Sequence, residues 1–346
     1  MRSDNTEEQV SISKEQIINA LKNVNDPELD KDIISLNFVE DIRISGNDVS
    51  FKLMLTTPAC PLKDVFRKDC LEALKKAVPD IGKVDIAFGS RVRQDKRISE
   101  KLSVPVKNII GISSGKGGVG KTTLTVRIAA ELASMGAKVA ILDADIYGPN
   151  IPRMLGISKP VEGSAGKIKP VIVDSMQIMS MGFLIPPDQA LVWRGPMLHS
   201  ALGQLLTEVE WEEADYLFID MPPGTGDVQL SIAQLTPISG GIIVTTPHPM
   251  AVDDALRGID AFAKLSVPLL GIIENMSGSV FGTGGAEELA KSRNLPFLGS
   301  VPLESQIAAG GTAPGGEGSP GTDAIREIAQ KVASSISVRN FAEKEE

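Results

Sequence analysis

Cysteine and histidine are nearly missing from this 346-residue sequence: there are two of each, Cys60, Cys70, His199 and His248. So few cysteines build no disulfide framework. The two histidines stand alone, and each reads as a hydrogen-bonded residue rather than a metal ligand. Aromatic residues are only 4% of the chain, so a core must rest on Ile, Val, Leu, Met and Ala. No apolar run is long enough to span a bilayer. The first ten residues, MRSDNTEEQV, are polar and lack the apolar centre of a signal peptide, and a cytoplasmic location is expected. Basic charge is also in deficit, 35 residues against 44 acidic ones for a net of −9, which argues against nucleic acid or an anionic membrane as partner.

What is present is ordinary apolar content, 42%, in a chain long enough for two domains, or for one large α/β domain with an appendage. After a polar lead, Ser13 and Gln16 form a capping box for a helix carrying Ile17, Leu21 and Val24, which Asp26-Pro27-Glu28 stops. Val49, Phe51, Leu53 and Leu55 alternate as a half-buried strand. Pro61 suits the first position of a second helix with Leu62, Val65, Phe66 and Leu74 on its apolar face, and Val84–Phe88 is a short strand. These make a small α+β domain over residues 12–90. The charged stretch 91–106 reads as a linker.

From Lys107 the pattern changes, and residues 107–340 read as a mostly parallel α/β domain. Asn108–Ile112, Val139–Leu142, Tyr216–Ile219, Gly241–Val244 and Leu269–Ile273 are short apolar runs suited to strands buried on both faces. Leu124–Met135 is a helix ended by Gly136. Residues 305–322, rich in Gly, Pro and Ser, read as a mobile loop, and Ile325, Ile328, Val332 and Ile336 line a final helix.

Gly115-Lys116-Gly117-Gly118-Val119-Gly120-Lys121-Thr122 matches the G-x-x-x-x-G-K-[ST] phosphate loop, with a strand before it and a helix after it. Thr123 completes the segment. Glycines there let backbone N–H groups turn toward phosphate oxygens, and the helix N-terminus adds a favourable dipole. Lys121 is expected to hold the β- and γ-phosphates of ATP, and Thr122 to ligate Mg²⁺. Asp143 and Asp145 follow the next strand, where a parallel sheet places its ligand, although either alone also suits a turn cap. Asp220 closes Tyr-Leu-Phe-Ile-Asp, the Walker B pattern that positions Mg²⁺, expected through water. Met221–Asp227, MPPGTGD, resembles a switch II segment in which the Gly224 N–H senses the γ-phosphate.

The second lysine, Lys116, gives the deviant Walker A signature and a resemblance to the MinD-like and ParA-like ATPases. That resemblance implies an ATP-dependent homodimer in which Lys116 reaches the partner's nucleotide, Asp145 orients the attacking water and Asp143 lies in the outer shell of Mg²⁺. On this reading Lys116, Lys121 and Asp145 are the catalytic residues. Trp193-Arg194-Gly195-Pro196, MPPGTGD, Thr245-Thr246-Pro247 and Glu274-Asn275-Met276-Ser277 add a resemblance to the Mrp/ApbC iron–sulfur cluster carrier ATPases. It implies an adenine contact for Asn275, slow ATP hydrolysis, and service to the iron–sulfur assembly machinery and apoprotein clients. The first domain, with Thr57-Pro58-Ala59-Cys60-Pro61, resembles the small iron–sulfur assembly domain.

There is one departure. The family's Cys-x-x-Cys, which follows Glu-Asn-Met-Ser and supplies four thiolates per dimer, is absent: Ser277-Gly278-Ser279-Val280-Phe281-Gly282 runs on without cysteine. Cys60, at the start of a predicted helix, is left as the candidate cluster ligand, open between a functional and a structural thiol. Cys70 reads as packing. The alternative function is a metal-free, nucleotide-switched interaction ATPase of the MinD/ParA type. The acidic C-terminal sequence speaks against MinD-like membrane attachment.

Overall fold

The structure is a computed structural model that describes residues 12–101, 104–146, 148–157, 163–164, 167–184, 195–224, 226–311 and 318–342. The polar lead at 1–11, Tyr147, Trp193-Arg194, Thr225, residues 312–317 and the acidic end at 343–346 lie outside the described residues. The chain divides at Arg91/Val92 into two compact units.

In the first unit, α1 (Lys14–Leu21) begins with the expected reciprocal cap: Gln16 N–H donates to Ser13 Oγ, and Ser13 N–H to Gln16 Oε1. It ends at Leu21, short of Asp26-Pro27. Asn25–Asp26 (β1) and Lys31–Asp32 (β2) form a two-residue ladder, turned by Asp26 accepting from the N–H groups of Glu28 and Leu29. Val39–Ser45 (β3) and Asp48–Leu55 (β4) make a hairpin at Gly46, whose φ of +60° suits a residue without Cβ. After α2 (Lys63–Ala77), Val84–Ser90 (β5) pairs parallel to β4. The expected first position for Pro61 is corrected: the helix starts at Lys63 with Leu62 as N-cap. Its buried stripe is Phe66, Cys70 and Leu74, one residue per turn, so Val65 falls beside the stripe and is exposed.

The second unit takes in much of the stretch expected as a linker. Lys96–Lys101 (α3) buries Ile98 completely, and Asp95 sinks into the surface under a two-point bond to the Arg97 guanidinium. High charge misled here because the charges face outward around one apolar anchor.

The strands and helices then alternate: β6 (Val106–Ser114), α4 (Lys121–Ser134), β7 (Val139–Asp143), α5 (Ile151–Met154), a small ladder of β8 (Gly163–Ser164) and β9 (Lys167–Ile168), β10 (Val171–Val173), β11 (Met176–Ser180), α6 (Gly195–Thr207), β12 (Ala214–Asp220), α7 (Asp227–Leu235), β13 (Gly240–Thr245), α8 (Pro249–Lys264), β14 (Leu269–Ser277), α9 (Gly285–Arg293), β15 (Phe297–Pro302), α10 (Ser305–Ala308) and α11 (Pro320–Ala342). Eight strands form one sheet in the order β10-β11-β7-β12-β6-β13-β14-β15, parallel except for β10 at the edge. Every residue of β7, β12 and β13 is buried, as continuous apolar runs require when helices cover both faces. Gly136, at φ +97°, follows the end of α4. Ile325, Ile328, Val332 and Ile336 of α11 are buried as their spacing foretold. The expected loop at 305–322 is shorter than read, because α10 and the first turn of α11 take its two ends.

Trp211 is buried in the second unit, so its fluorescence reports that unit's unfolding. Ile98→Ala should destabilise that transition by about 2–5 kcal/mol, the usual cost of emptying a buried aliphatic site. A urea titration followed by tryptophan emission checks this; an unchanged midpoint would return residues 92–101 to the status of a linker.

Candidate nucleotide site

Register sets the site. Strand β12 lies between β6 and β7, with Asp220 opposite Ile112 on one side and Asp143 on the other, so the two acids end adjacent strands side by side. Strand β6 continues into the phosphate loop, and α4 starts from Gly120 at φ +83°, which carries no side-chain cap. A side chain at Gly115 would collide with the backbone of Asp254 in α8, and one at Gly120 with the Asn275 amide. These two glycines let the loop lie close under α8 and β14, and the first N–H groups of α4 stay free for an anion.

Lys121 is buried. Its ammonium donates to Asp220 Oδ1 at 2.7 Å and lies 3.8 Å from Asp145 Oδ2. Thr122 Oγ1 donates to Asp220 Oδ2 at 2.7 Å, and Thr125, one turn along, reaches Asp220 Oδ1 at 3.0 Å. Asp143 accepts from the N–H groups of Asp145 and Ile151 and from Ser180 Oγ. Burial, and then the charge of Asp220 beside it, push the Asp143 carboxyl above the usual range despite those donors. Lys116, Lys121 and Arg153 face the cavity together with Asp145. The Thr122 hydroxyl and the Asp220 carboxylate beneath it are hard oxygens that fit Mg²⁺ and would hold it.

A cavity of about 1040 Å³ opens over these groups. Residues 116–123, Asp145, Pro222, Pro223 and Gln229 line it, with Met154, Ala308, Ala309 and Gly310 on another wall. Lys116 also lines it, half-buried, with no side-chain partner among the described residues. Gly115, Asp143, Asp220 and Asn275 are not among the lining residues. Gly224 N–H rests on Ser114 O at 2.8 Å. Asn275, expected at the adenine, donates its amide to Val119 O at 2.8 Å and braces the phosphate loop.

Sequence reasoning passed over three residues. Thr125 was signalled only by its place four residues after Lys121. Buried Gln229 donates to Pro222 O and Gly224 O, fixing the segment after β12. Arg127 binds the 306–310 wall, and nothing local in the sequence announces that contact.

Residues 105–336 match the family described as NUBPL iron-transfer P-loop NTPase, and residues 14–87 match iron-sulfur cluster assembly protein. A Synechocystis protein named iron-sulfur cluster carrier protein is 46% identical, with 87% of this chain and 90% of that protein covered. The chain belongs to the NUBPL-type iron-transfer P-loop NTPases. A nucleotide-binding protein of Archaeoglobus fulgidus solved in complex with ADP is similar at 34% identity and a TM-score of 0.53, covering 62% of this chain and 89% of that one. The septum site-determining protein MinD of Pyrococcus horikoshii, complexed with Mg-ADP, shares the fold at 23% identity and a TM-score of 0.50, over 65% of this chain and 95% of its own. No helix among the described residues is long and apolar enough to cross a membrane.

This NUBPL-type chain departs from a cluster-binding protein in its thiols. Both cysteines lie in the first unit and both are buried. Cys60, left open between a functional and a structural thiol, lies three positions before α2, and burial pushes its thiol up to about 11. Cys70, on the inner face of α2, is pushed up to about 12 by burial and by the neighbouring Asp69. Among the described residues no group of three or more His, Cys, Asp or Glu is placed to hold a metal ion.

A thiol raised from 9.0 to about 11 holds about a hundredfold less thiolate at pH 8. Iodoacetamide should therefore label Cys60 and Cys70 of the native protein at least that much more slowly than the urea-unfolded chain. Fast labelling of Cys60 in the native state, read by mass spectrometry, would contradict the buried placement.

Proposed function

We propose that this chain is an ATP-hydrolysing iron–sulfur cluster carrier or assembly factor that works as a homodimer and delivers clusters to apoproteins. The observation that carries the nucleotide half is the Lys121–Asp220–Thr122 cluster under the cavity, behind a loop whose glycines leave backbone N–H groups free. The match to both an iron-transfer NTPase and an assembly domain, and the name of the Synechocystis relative, support the iron–sulfur half.

The chain's own groups divide the work. Lys121 exchanges its bond to Asp220 for triphosphate oxygens, and the α4 N-terminus adds N–H donors. Bound Mg²⁺ would neutralise phosphate charge next to Thr122 and Asp220. Asp145 orients a water whose oxygen bonds to the γ-phosphorus as the bridge to the β-phosphate breaks; ADP leaves with that electron pair, and the water's protons pass to phosphate and solvent. Gly224 N–H moves from Ser114 O to the γ-phosphate and returns after hydrolysis, which makes the 222–226 segment the switch. Lys116, without a side-chain partner among the described residues, reaches the nucleotide of the second copy.

The cluster is cargo here, and a four-thiolate seat for it does not fit this chain. The second unit has no cysteine, and the first offers two buried thiols. Cys60 stays the sole candidate for a chain-supplied ligand; any site built on it is incomplete and needs a client or a small thiol to finish it. This favours the assembly role over stable carriage. The metal-free interaction ATPase is the second reading, favoured by the same missing ligands.

Lys121→Ala should remove most ATP affinity and turnover; hydrolysis at the wild-type rate would sink the phosphate-loop assignment. Lys116→Ala should spare binding more than hydrolysis. Mixing Lys116→Ala with Asp145→Ala subunits should give activity that departs from simple proportion to intact sites. Anaerobic reconstitution of wild type and Cys60→Ala, read by iron content and visible absorption, separates the two functions: cluster that depends on Cys60 supports the first reading, and no iron on either protein supports the second.

A further inference from the structure

The nucleotide cavity has two chemically different ends. At one, Lys121, Asp145, Pro222 and Pro223 face it. The other includes Met154, Ala308, Ala309 and Gly310, small or apolar side chains, with Arg153 as a charged neighbour. A polyphosphate belongs at the first and a nucleoside at the second, since an apolar surface with a few fixed peptide dipoles suits a flat heteroaromatic base.

The second wall is the end of the short helix α10 and the two residues after it, and surface segments of that kind are ordinarily the mobile part of a site. Here it is pinned from beneath. Arg127 stands on α4 one turn beyond Thr123, itself a cavity residue. Its Nη2 donates to Gln306 O at 3.0 Å and Gly310 O at 3.1 Å, the two carbonyls that bracket Ala308 and Ala309. The guanidinium is almost fully buried, forms no ion pair among the described residues, and leaves its Nε–H without an acceptor. Glu131, one turn further along, faces it but spends its carboxylate on Arg326 of α11, at 3.3 Å. A buried, incompletely satisfied cation is costly, and a hydrocarbon side chain would fill the same space more cheaply. What the arginine supplies, and a hydrocarbon does not, is a fixed distance between the phosphate-binding helix and the wall at 306–310.

We propose that Arg127 is the positioning residue for the nucleoside end of the cavity: by tying residues 306–310 to α4 it sets the base-binding wall relative to the phosphate loop, and so makes the site select a nucleotide over a bare polyphosphate. The inference rests on the nucleotide reading above. Arg127 touches the wall and not the ligand, so its removal acts on the part of the affinity that comes from sugar and base.

The test measures binding of two probes, ADP and inorganic pyrophosphate, each with Mg²⁺, by calorimetry on the full chain. Arg127→Met should weaken ADP about tenfold or more, the scale expected for losing an interaction of this strength. Pyrophosphate, which needs only the loop and Lys121, should change less than twofold. Arg127→Lys keeps the charge but not the paired geometry, and should fall between Met and wild type for ADP. Gly310→Ala perturbs the same wall, including the carbonyl that Arg127 holds, while keeping the arginine: its φ is +81°, and an added Cβ would press on Met154 Cγ, so it should reproduce the selective loss of ADP. In turnover, KM for ATP should rise more than kcat falls. Equal loss of ADP and pyrophosphate in Arg127→Met and Gly310→Ala would overturn the inference, because it would show a general weakening of the fold. Unchanged ADP affinity in both would overturn it as well. Wild type that binds neither probe would instead defeat the nucleotide reading itself.

Discussion

The buried pair of Lys121 and Asp220 is the contact on which the site turns. An ammonium and a carboxylate taken out of water recover their solvation only if their remaining valences are met. Thr122 and Thr125 meet them on the acid, and the first turn of α4 and the end of β12 are thereby fixed to one another. The geometry requires β12 to lie between β6 and β7, so that its terminal acid arrives under the loop leaving β6. It also requires glycine at 115 and 120, where any side chain would push the loop off α8 and β14. Asp145 lies 3.8 Å from the same lysine, and the Asp143 carboxyl on the neighbouring strand is raised first by burial and then by the charge of Asp220.

Helix α4 carries most of the traffic between parts of this unit. Its first turn faces phosphate, Thr125 supports the acid on β12, Arg127 holds the wall at 306–310, and Glu131 pairs with Arg326 on α11. These contacts fall at successive turns of one rigid rod, so a displacement of the loop at its N-terminus is felt at the opposite wall. The segment after β12 is tethered differently: the Gln229 side-chain amide donates to Pro222 O and Gly224 O, and the Gly224 N–H donates to Ser114 O.

The thiol chemistry is separated from the nucleotide chemistry by the order of the chain. Every cysteine precedes the second unit, and burial keeps both protonated at neutral pH. A family described by iron transfer is thus represented by a chain whose P-loop NTPase unit contains no cysteine.

The phosphate loop, the acids at 143, 145 and 220 and the parallel strands were legible in the sequence because each is a local pattern: a glycine spacing, an apolar run, an acid at its end. The capping box at Ser13 and the spacing of α11 were legible for the same reason. Local pattern also misled where a partner distant in sequence decides. Ile98 sits among charges and is buried by the second unit's core, and Val65 lies one position off the stripe that faces inward. The burial of Cys60, the bond from Asn275 to Val119 and the reach of Arg127 to carbonyls some 180 residues away have no local signal. The sequence by itself determined which chemistry this protein carries, because phosphate binding needs backbone shapes that only certain residues permit in a row. Only the tertiary structure decided which side chains hold that chemistry in place, since burial and hydrogen-bond partners are set by what strand order and helix packing bring from far along the chain.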